Sequence, residues 1–241
     1  MAAEAGPTEP LRLRVALVGC GRISAYHVAA LTALRDVEIV AVCDVDEKSA
    51  REAATRHGIR GCYTDAVAMF RETRPDAVHL LTPPGSHLPL ARLAAKYGAH
   101  MYIEQPFAAT EAEARAILEL AREAGVQVCP SHSRLFDPVF AEACRRIQAG
   151  EIGRVLSGTG TLLGIATGKV KRHQGLRTII ERFYQSLRDG LPPPVSPEEG
   201  VLNVRLMDQI KEAGKPFRKQ RPELPLQQSA IRPRPGAGLT W

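Results

Sequence analysis

The sequence predicts an α/β fold: a doubly wound parallel sheet followed by a truncated, mostly helical C-terminal part. Three features carry that expectation. Short apolar runs alternate with amphipathic stretches of helical length from Leu13 to Ser131, the pattern of parallel strands joined by crossover helices. A glycine turn separates the first apolar run from the first helical stretch. After residue 131 the alternation stops and helical periodicity dominates. The expected organisation is a doubly wound domain over 11–131, a shortened α/β remnant over 132–214 and an irregular basic tail over 215–241.

Residues 13–18, LRVALV, read as a buried strand, and the Gly19-Cys20-Gly21 turn leads to a helix over 23–34. EIVAVC, 38–43, is the next strand; Asp46 caps a helix over 47–57 that ends at Gly58. A short strand, GCYT, precedes a helix over 65–73, and AVHLL, 77–81, is a strand that Pro83-Pro84-Gly85 ends. A helix over 86–97 stops at Gly98, HMYI is the fifth strand, and Thr110 with Glu113 forms a capping box for a helix to Glu123. VQVCPS is the sixth strand, and Asp137-Pro138 opens a helix to Ala149. One further strand is expected over 153–164, a turn-rich basic stretch over 168–174, and an amphipathic helix over 176–188. Ser196 followed by Pro197 starts a last helix, to about Ala213.

With 241 residues, 44% of them hydrophobic, the chain is long enough to bury a core. No apolar run approaches the roughly 18 residues that cross a bilayer, and residues 1–10 lack a basic-then-apolar leader pattern. A cytoplasmic location, with no membrane partner, is the expectation. Five cysteines without a C-x-x-C pair read as reduced thiols, and the histidines lack ligand spacing, so no metal site is expected. Residues 1–168 hold 18 basic and 19 acidic side chains against 14 and 7 beyond, which makes the front balanced and the back basic. Those basic residues lack interleaved aromatics, so a solvated surface is favoured over a nucleic-acid partner.

GCGRIS, 19–24, matches G-x-G-x-x-G with Ser24 in the third glycine's place. It follows a strand and opens a helix, the context in which Gly19 makes the turn, Gly21 admits a pyrophosphate to the backbone, and unpaired N–H groups meet the negative charge. Asp44 ends the second strand, where its carboxylate can accept hydrogen bonds from ribose hydroxyls and would repel a 2′-phosphate. NAD is therefore favoured over NADP. TPPGSH, 82–87, follows the fourth strand at the carboxyl edge, where ligands of open α/β sheets bind, and Ser86 or His87 is expected to point at the cofactor.

GCGRIS, CDVD, TPPGSH, YIEQPFAAT and HSRLFDPVFAEACRRIQAGEIGRV together resemble the glucose–fructose oxidoreductase/inositol dehydrogenase (Gfo/Idh/MocA) family, over about 13–155. The resemblance implies a Rossmann domain for NAD or NADP, then an α/β domain whose open sheet forms the substrate site and usually an oligomer contact. It implies hydride transfer to or from a sugar, inositol or related polyol. The cofactor residues are then Gly19, Gly21, Arg22, Ile23, Ser24, Asp44, Thr82, Pro83, Pro84, His87 and Glu104.

Two departures qualify that expectation. The family motif reads Glu-Lys-Pro, its lysine reaching the reacting hydroxyl, whereas this chain has Glu104-Gln105-Pro106; Gln105 can orient a hydroxyl but has no tunable proton. A member would also follow Val155 with further strands and a catalytic Asp/His helix, while here the closing helices come almost at once, as though the middle were deleted. Gln105 and His132, at the end of the sixth strand, are the catalytic candidates. Without that sheet, apolar residues such as Ile179, Ile180 and Phe183 either repack on the Rossmann domain or bind another chain. An impaired oxidoreductase is the leading expectation, and a non-catalytic dinucleotide sensor or interaction protein is the alternative.

Overall fold

The structure, a computed structural model, describes residues 12–151 and 174–219. The strand expected over 153–164, the turn-rich basic stretch up to residue 173 and the tail beyond residue 219 lie outside the described residues.

Six strands form one parallel sheet: β1 (Leu13–Val18), β2 (Val37–Cys43), β3 (Gly61–Tyr63), β4 (Ala77–Leu80), β5 (His100–Ile103) and β6 (Val128–Pro130). Their order is β3-β2-β1-β4-β5-β6, the doubly wound arrangement whose strand order reverses between β1 and β4. Val18 pairs with Cys43 on one side and Leu80 on the other, which aligns the strand ends along one carboxyl edge.

The connecting helices are α1 (Ser24–Thr32), α2 (Glu47–His57), α3 (Ala66–Thr73), α4 (His87–Lys96) and α5 (Glu111–Ala124), with a 3-10 turn at Pro84–Ser86 before α4. Asp46 and Asp65 side chains accept the N–H groups of the first turns of α2 and α3. At α5, Thr110 Oγ1 accepts the Glu113 N–H, and Glu113 reaches back to the N–H of Ala109, one residue earlier than a regular capping box. Gly58 and Gly125 end α2 and α5 in the left-handed conformation, φ 65° and 66°.

Beyond β6, a 3-10 turn at Ser133–Phe136 leads to α6 (Pro138–Gln148), capped by Asp137. Two long helices follow: α7 (Gln174–Asp189) and α8 (Pro197–Lys219). Both faces of β1 are buried, as a central parallel strand requires. Val28 and Leu31 of α1 and Ile179, Ile180, Phe183 and Tyr184 of α7 cover one face; Met69, Phe70, Ala91, Ile117 and Val201 from α3, α4, α5 and α8 cover the other.

The apolar face of α7 therefore repacks on the sheet, with Ile179, Ile180 and Phe183 at 0% exposure. Full burial of such side chains stabilises by roughly 1.5–3 kcal/mol each. Glycine sets the approach of both late helices. A Cβ on Gly200 would come within 2.8 Å of Pro130 Cγ, and Gly175 lies directly against the Ser133 carbonyl. Residues 215–219, expected to open an irregular tail, continue α8 through Lys219. Pro216 falls in its last turns, where loss of one backbone donor does not stop the helix.

Candidate functional site

The turn after β1 passes over the end of β4. Gly19 adopts φ 102°, and a Cβ there would come within 2.8 Å of the Leu81 carbonyl carbon, so only glycine fits. Two residues on, a Cβ at Gly21 would meet nothing within 4 Å. The first glycine is thus required by the fold, while the second fronts open space.

That space is a cleft of about 680 Å³ at the carboxyl edge, where the strand order reverses. Gly19, Gly21, Asp44, Thr82 and Pro83 line it. Its remaining wall is largely apolar and includes Val45, Pro89, Leu90 and Leu93. Asp44 is turned toward the glycine turn: Oδ2 accepts the Cys20 N–H at 2.7 Å and Oδ1 the Asp46 N–H at 3.0 Å. The helix cap is Asp46, which leaves Asp44 free of that role. Burial, then the Asp44 charge, pushes the Cys20 thiol up to about 12, so it is inert.

α1 and α4, which open at this cleft, have no side-chain hydrogen bond at their N-caps, whereas side chains cap α2, α3, α5 and α6. Helix starts left open in this way suit an anionic ligand. Open space before Gly21, the uncapped start of α1 and the Asp44 acceptor fit a dinucleotide's pyrophosphate and ribose.

Other expected cofactor residues sit differently. Arg22 is exposed on the turn and Ile23 half-buried, while Ser24 is buried and donates its hydroxyl hydrogen bond to the Gly21 carbonyl. Pro84 starts the 3-10 turn. These four are outside the cleft lining. His87 does not point to the cleft: its ring is fully buried, with Nε2 2.7 Å from the Thr82 carbonyl and Nδ1 3.1 Å from that of Phe107. Its ring ties the Thr82 loop to the loop after β5. Ser86 does line the cleft, and its hydroxyl bonds Thr82 Oγ1 at 2.8 Å.

Glu104, too, lies outside that lining, at the head of a buried polar network. Its Oε1 lies 3.0 Å from His27 Nε2 and accepts the Ser131 hydroxyl at 2.7 Å; Oε2 accepts the Gln105 N–H. His27 Nδ1 is 2.8 Å from His79 Nδ1, and His79 Nε2 is 3.0 Å from Tyr184 Oη. Burial raises the Glu104 carboxyl, but the hydrogen bonds from His27, Ser131 and the Gln105 N–H outweigh it and hold it below the ordinary value. Burial, then His27, pushes His79 well below the usual histidine range.

The Gln105–Pro106 peptide bond is cis, and Gln105 Nε2 is buried without a hydrogen-bond partner among the described residues. His132 Nε2 is in the same condition. Burial pushes His132 down while the Glu199 charge opposes it. No hydrogen bond joins the two catalytic candidates.

Residues 13–132 match the family described as an oxidoreductase family with an NAD-binding Rossmann fold, GFO_IDH_MocA. D-apiose dehydrogenase of Paraburkholderia graminis is 36% identical over 142 residues, which are 59% of this chain and 38% of that protein. scyllo-Inositol 2-dehydrogenase (NAD(+)) of Bacillus subtilis is 33% identical over 144 residues, 59% of this chain and 42% of that one. Among solved structures, the WlbA dehydrogenase of Bordetella pertussis, crystallised with NADH and UDP-GlcNAcA, superposes with a TM-score of 0.56 at 28% identity, over 59% of this chain and 44% of that chain. The chain spans about two fifths of the length of these relatives. Motifs, strand order and these matches agree: the chain belongs, through residues 13–132, to the Gfo/Idh/MocA oxidoreductase family.

Proposed function

We propose that the chain binds NAD in the cleft beside Gly21 and acts as an NAD-dependent oxidoreductase on a CH–OH group of a sugar, inositol or related polyol. The observation that carries this reading is the cleft itself, with Gly21 fronting open space and Asp44 fastened at the same edge. The backbone at Gly21 and the start of α1 would hold the pyrophosphate, and Asp44 the adenosine ribose hydroxyls. A 2′-phosphate would meet the Asp44 charge, so NAD is preferred over NADP. The apolar wall of Leu90 and Leu93 suits the adenine ring.

When bound, the dinucleotide supplies the hydride acceptor or donor of the reaction. The chain's own residues bind and orient. Gln105, with an unpartnered amide nitrogen beside Glu104, would donate a hydrogen bond to the substrate oxygen without taking its proton. His132 is the second candidate at this edge, with a ring nitrogen still to be satisfied.

Reduction of NAD+ followed at 340 nm with a panel of inositols, aldoses and sugar acids tests the activity. Turnover with a member of the panel supports the reading, and NAD+ binding with no turnover across the panel confines the function to cofactor binding.

A further inference from the structure

The directions of the hydrogen bonds around Glu104 follow from its buried neighbours. Tyr184 and Tyr102 are fully buried, and burial pushes both phenols well above their ordinary value, so each keeps its proton; Tyr102 donates to Ser131, and among the described residues His79 Nε2 is the one hydrogen-bond partner of the Tyr184 hydroxyl. Tyr184 meets His79 Nε2, which must then be the acceptor. His79 therefore carries its proton on Nδ1 and donates to His27 Nδ1, and His27 carries its own on Nε2, facing Glu104 Oε1. A second chain runs from Tyr102 Oη to Ser131 Oγ, 3.1 Å, and from Ser131 to the same carboxylate oxygen.

Both chains end on Glu104 as donors, and the Gln105 N–H donates to its other oxygen. Three donors converge on one side chain, which suits an acceptor-only carboxylate and leaves no place for a carboxyl proton on Oε1. Among the described residues no lysine or arginine pairs with the charge: the groups facing it are His27 from α1, Ser131 after β6 and its own loop, with His79, Tyr102 and Tyr184 behind. Its side chain is 17% exposed, so it is set just below the carboxyl edge.

Glu104 directly follows β5, in the β4-β5-β6 half of the sheet. In a doubly wound sheet the two halves of a dinucleotide lie on the two sides of the switch point. With Gly21 and Asp44 marking the adenosine half, the nicotinamide half falls to the side of Glu104. The oxidised nicotinamide ring is cationic and the reduced ring neutral. We propose that Glu104, fixed by His27 and Ser131, is a redox-state selector that binds the oxidised cofactor in preference to the reduced one. This rests on the dinucleotide reading of the cleft and adds to it a residue that discriminates between the two forms of the same ligand.

The test is the pair of dissociation constants for NAD+ and NADH, measured by calorimetry on the whole chain and on Glu104→Gln. A carboxylate on the nicotinamide side of the site makes the expected effect about tenfold in the NAD+ to NADH affinity ratio. The account expects Glu104→Gln to weaken NAD+ and to leave NADH unchanged or tighter, while Ser131→Ala, which keeps the charge, leaves the ratio near that of the parent. Equal changes for both forms, or no change, overturn the proposal while the dinucleotide reading stands. A parent chain that binds neither form removes that reading and the proposal together. Should Glu104→Gln fail to fold, the carboxyl 13C titration of Glu104 in the parent decides: an ionised group at pH 6 agrees, and a protonated one overturns it.

Discussion

The Cys20 N–H donates to Asp44 Oδ2 across 2.7 Å, so the acid ending β2 is fastened to the turn that follows β1. One carboxylate thereby holds the glycine turn in place and presents oxygen lone pairs at the rim of the cleft. Replacing Asp44 with Ala removes both. A charged hydrogen bond is worth about 1.5–3 kcal/mol, so NAD+ affinity should fall about 10- to 100-fold, with a smaller loss for NADP+ because the repulsion is also gone. Parallel calorimetric titrations check this, and equal losses for the two cofactors would speak against the assigned role.

Gly19 and Gly21 should separate fold from function. Gly19→Ala forces a side chain into the Leu81 backbone at a positive φ and should cost about 1–3 kcal/mol in urea unfolding. Gly21→Ala meets no atom and should unfold within about 0.5 kcal/mol of the parent.

Tyr184→Phe should destabilise the chain by about 1–3 kcal/mol, because it leaves His79 Nε2 buried without a donor. Denaturant midpoints of the parent and the variant give the difference. An unchanged midpoint would mean that the hydroxyl contributes nothing to the network.

Stability should fall on mild acidification. Burial holds His79, His100 and His132 below the ordinary histidine value of 6.5, with His27 adding to it at His79, Asp76 opposing at His100 and Glu199 at His132. Each folded-state value lies below its unfolded one, so the unfolded chain binds more protons in the window between them. The contribution of these neutral rings is complete above pH 6.5 and is lost as pH falls from there toward the folded values. Urea midpoints at pH 7.5 and 5.5 should show the loss, and a His100→Asn variant should show a shallower one.

The strands and caps were legible because they are written locally. Four-to-seven-residue apolar runs became β1, β2, β4 and β5, and Asp46, Thr110 and Asp137 cap the helices that they precede. The cleft residues Gly19, Gly21 and Asp44 followed from a motif with a mechanism. What lay hidden depends on distant partners. His27 and His79 are 52 positions apart, and His79 and Tyr184 are 105 apart, separations that no periodicity encodes. A histidine at a helix start beside a cleft is expected to face it, yet His87 turns inward because two backbone carbonyls, of Thr82 and Phe107, converge on its ring. The apolar face of α7 carried its own signal in Ile179, Ile180 and Phe183, but only the folded chain shows that it closes on the sheet beside α1.

The central claim is that the cleft before Gly21 is a dinucleotide site. Its most direct test is calorimetric titration of NAD+ into the whole chain and into Gly21→Ala at matched stability. The account predicts saturable one-to-one binding by the parent and its loss when a methyl group occupies the space before the turn. No binding by the parent, or equal binding by both, would contradict it.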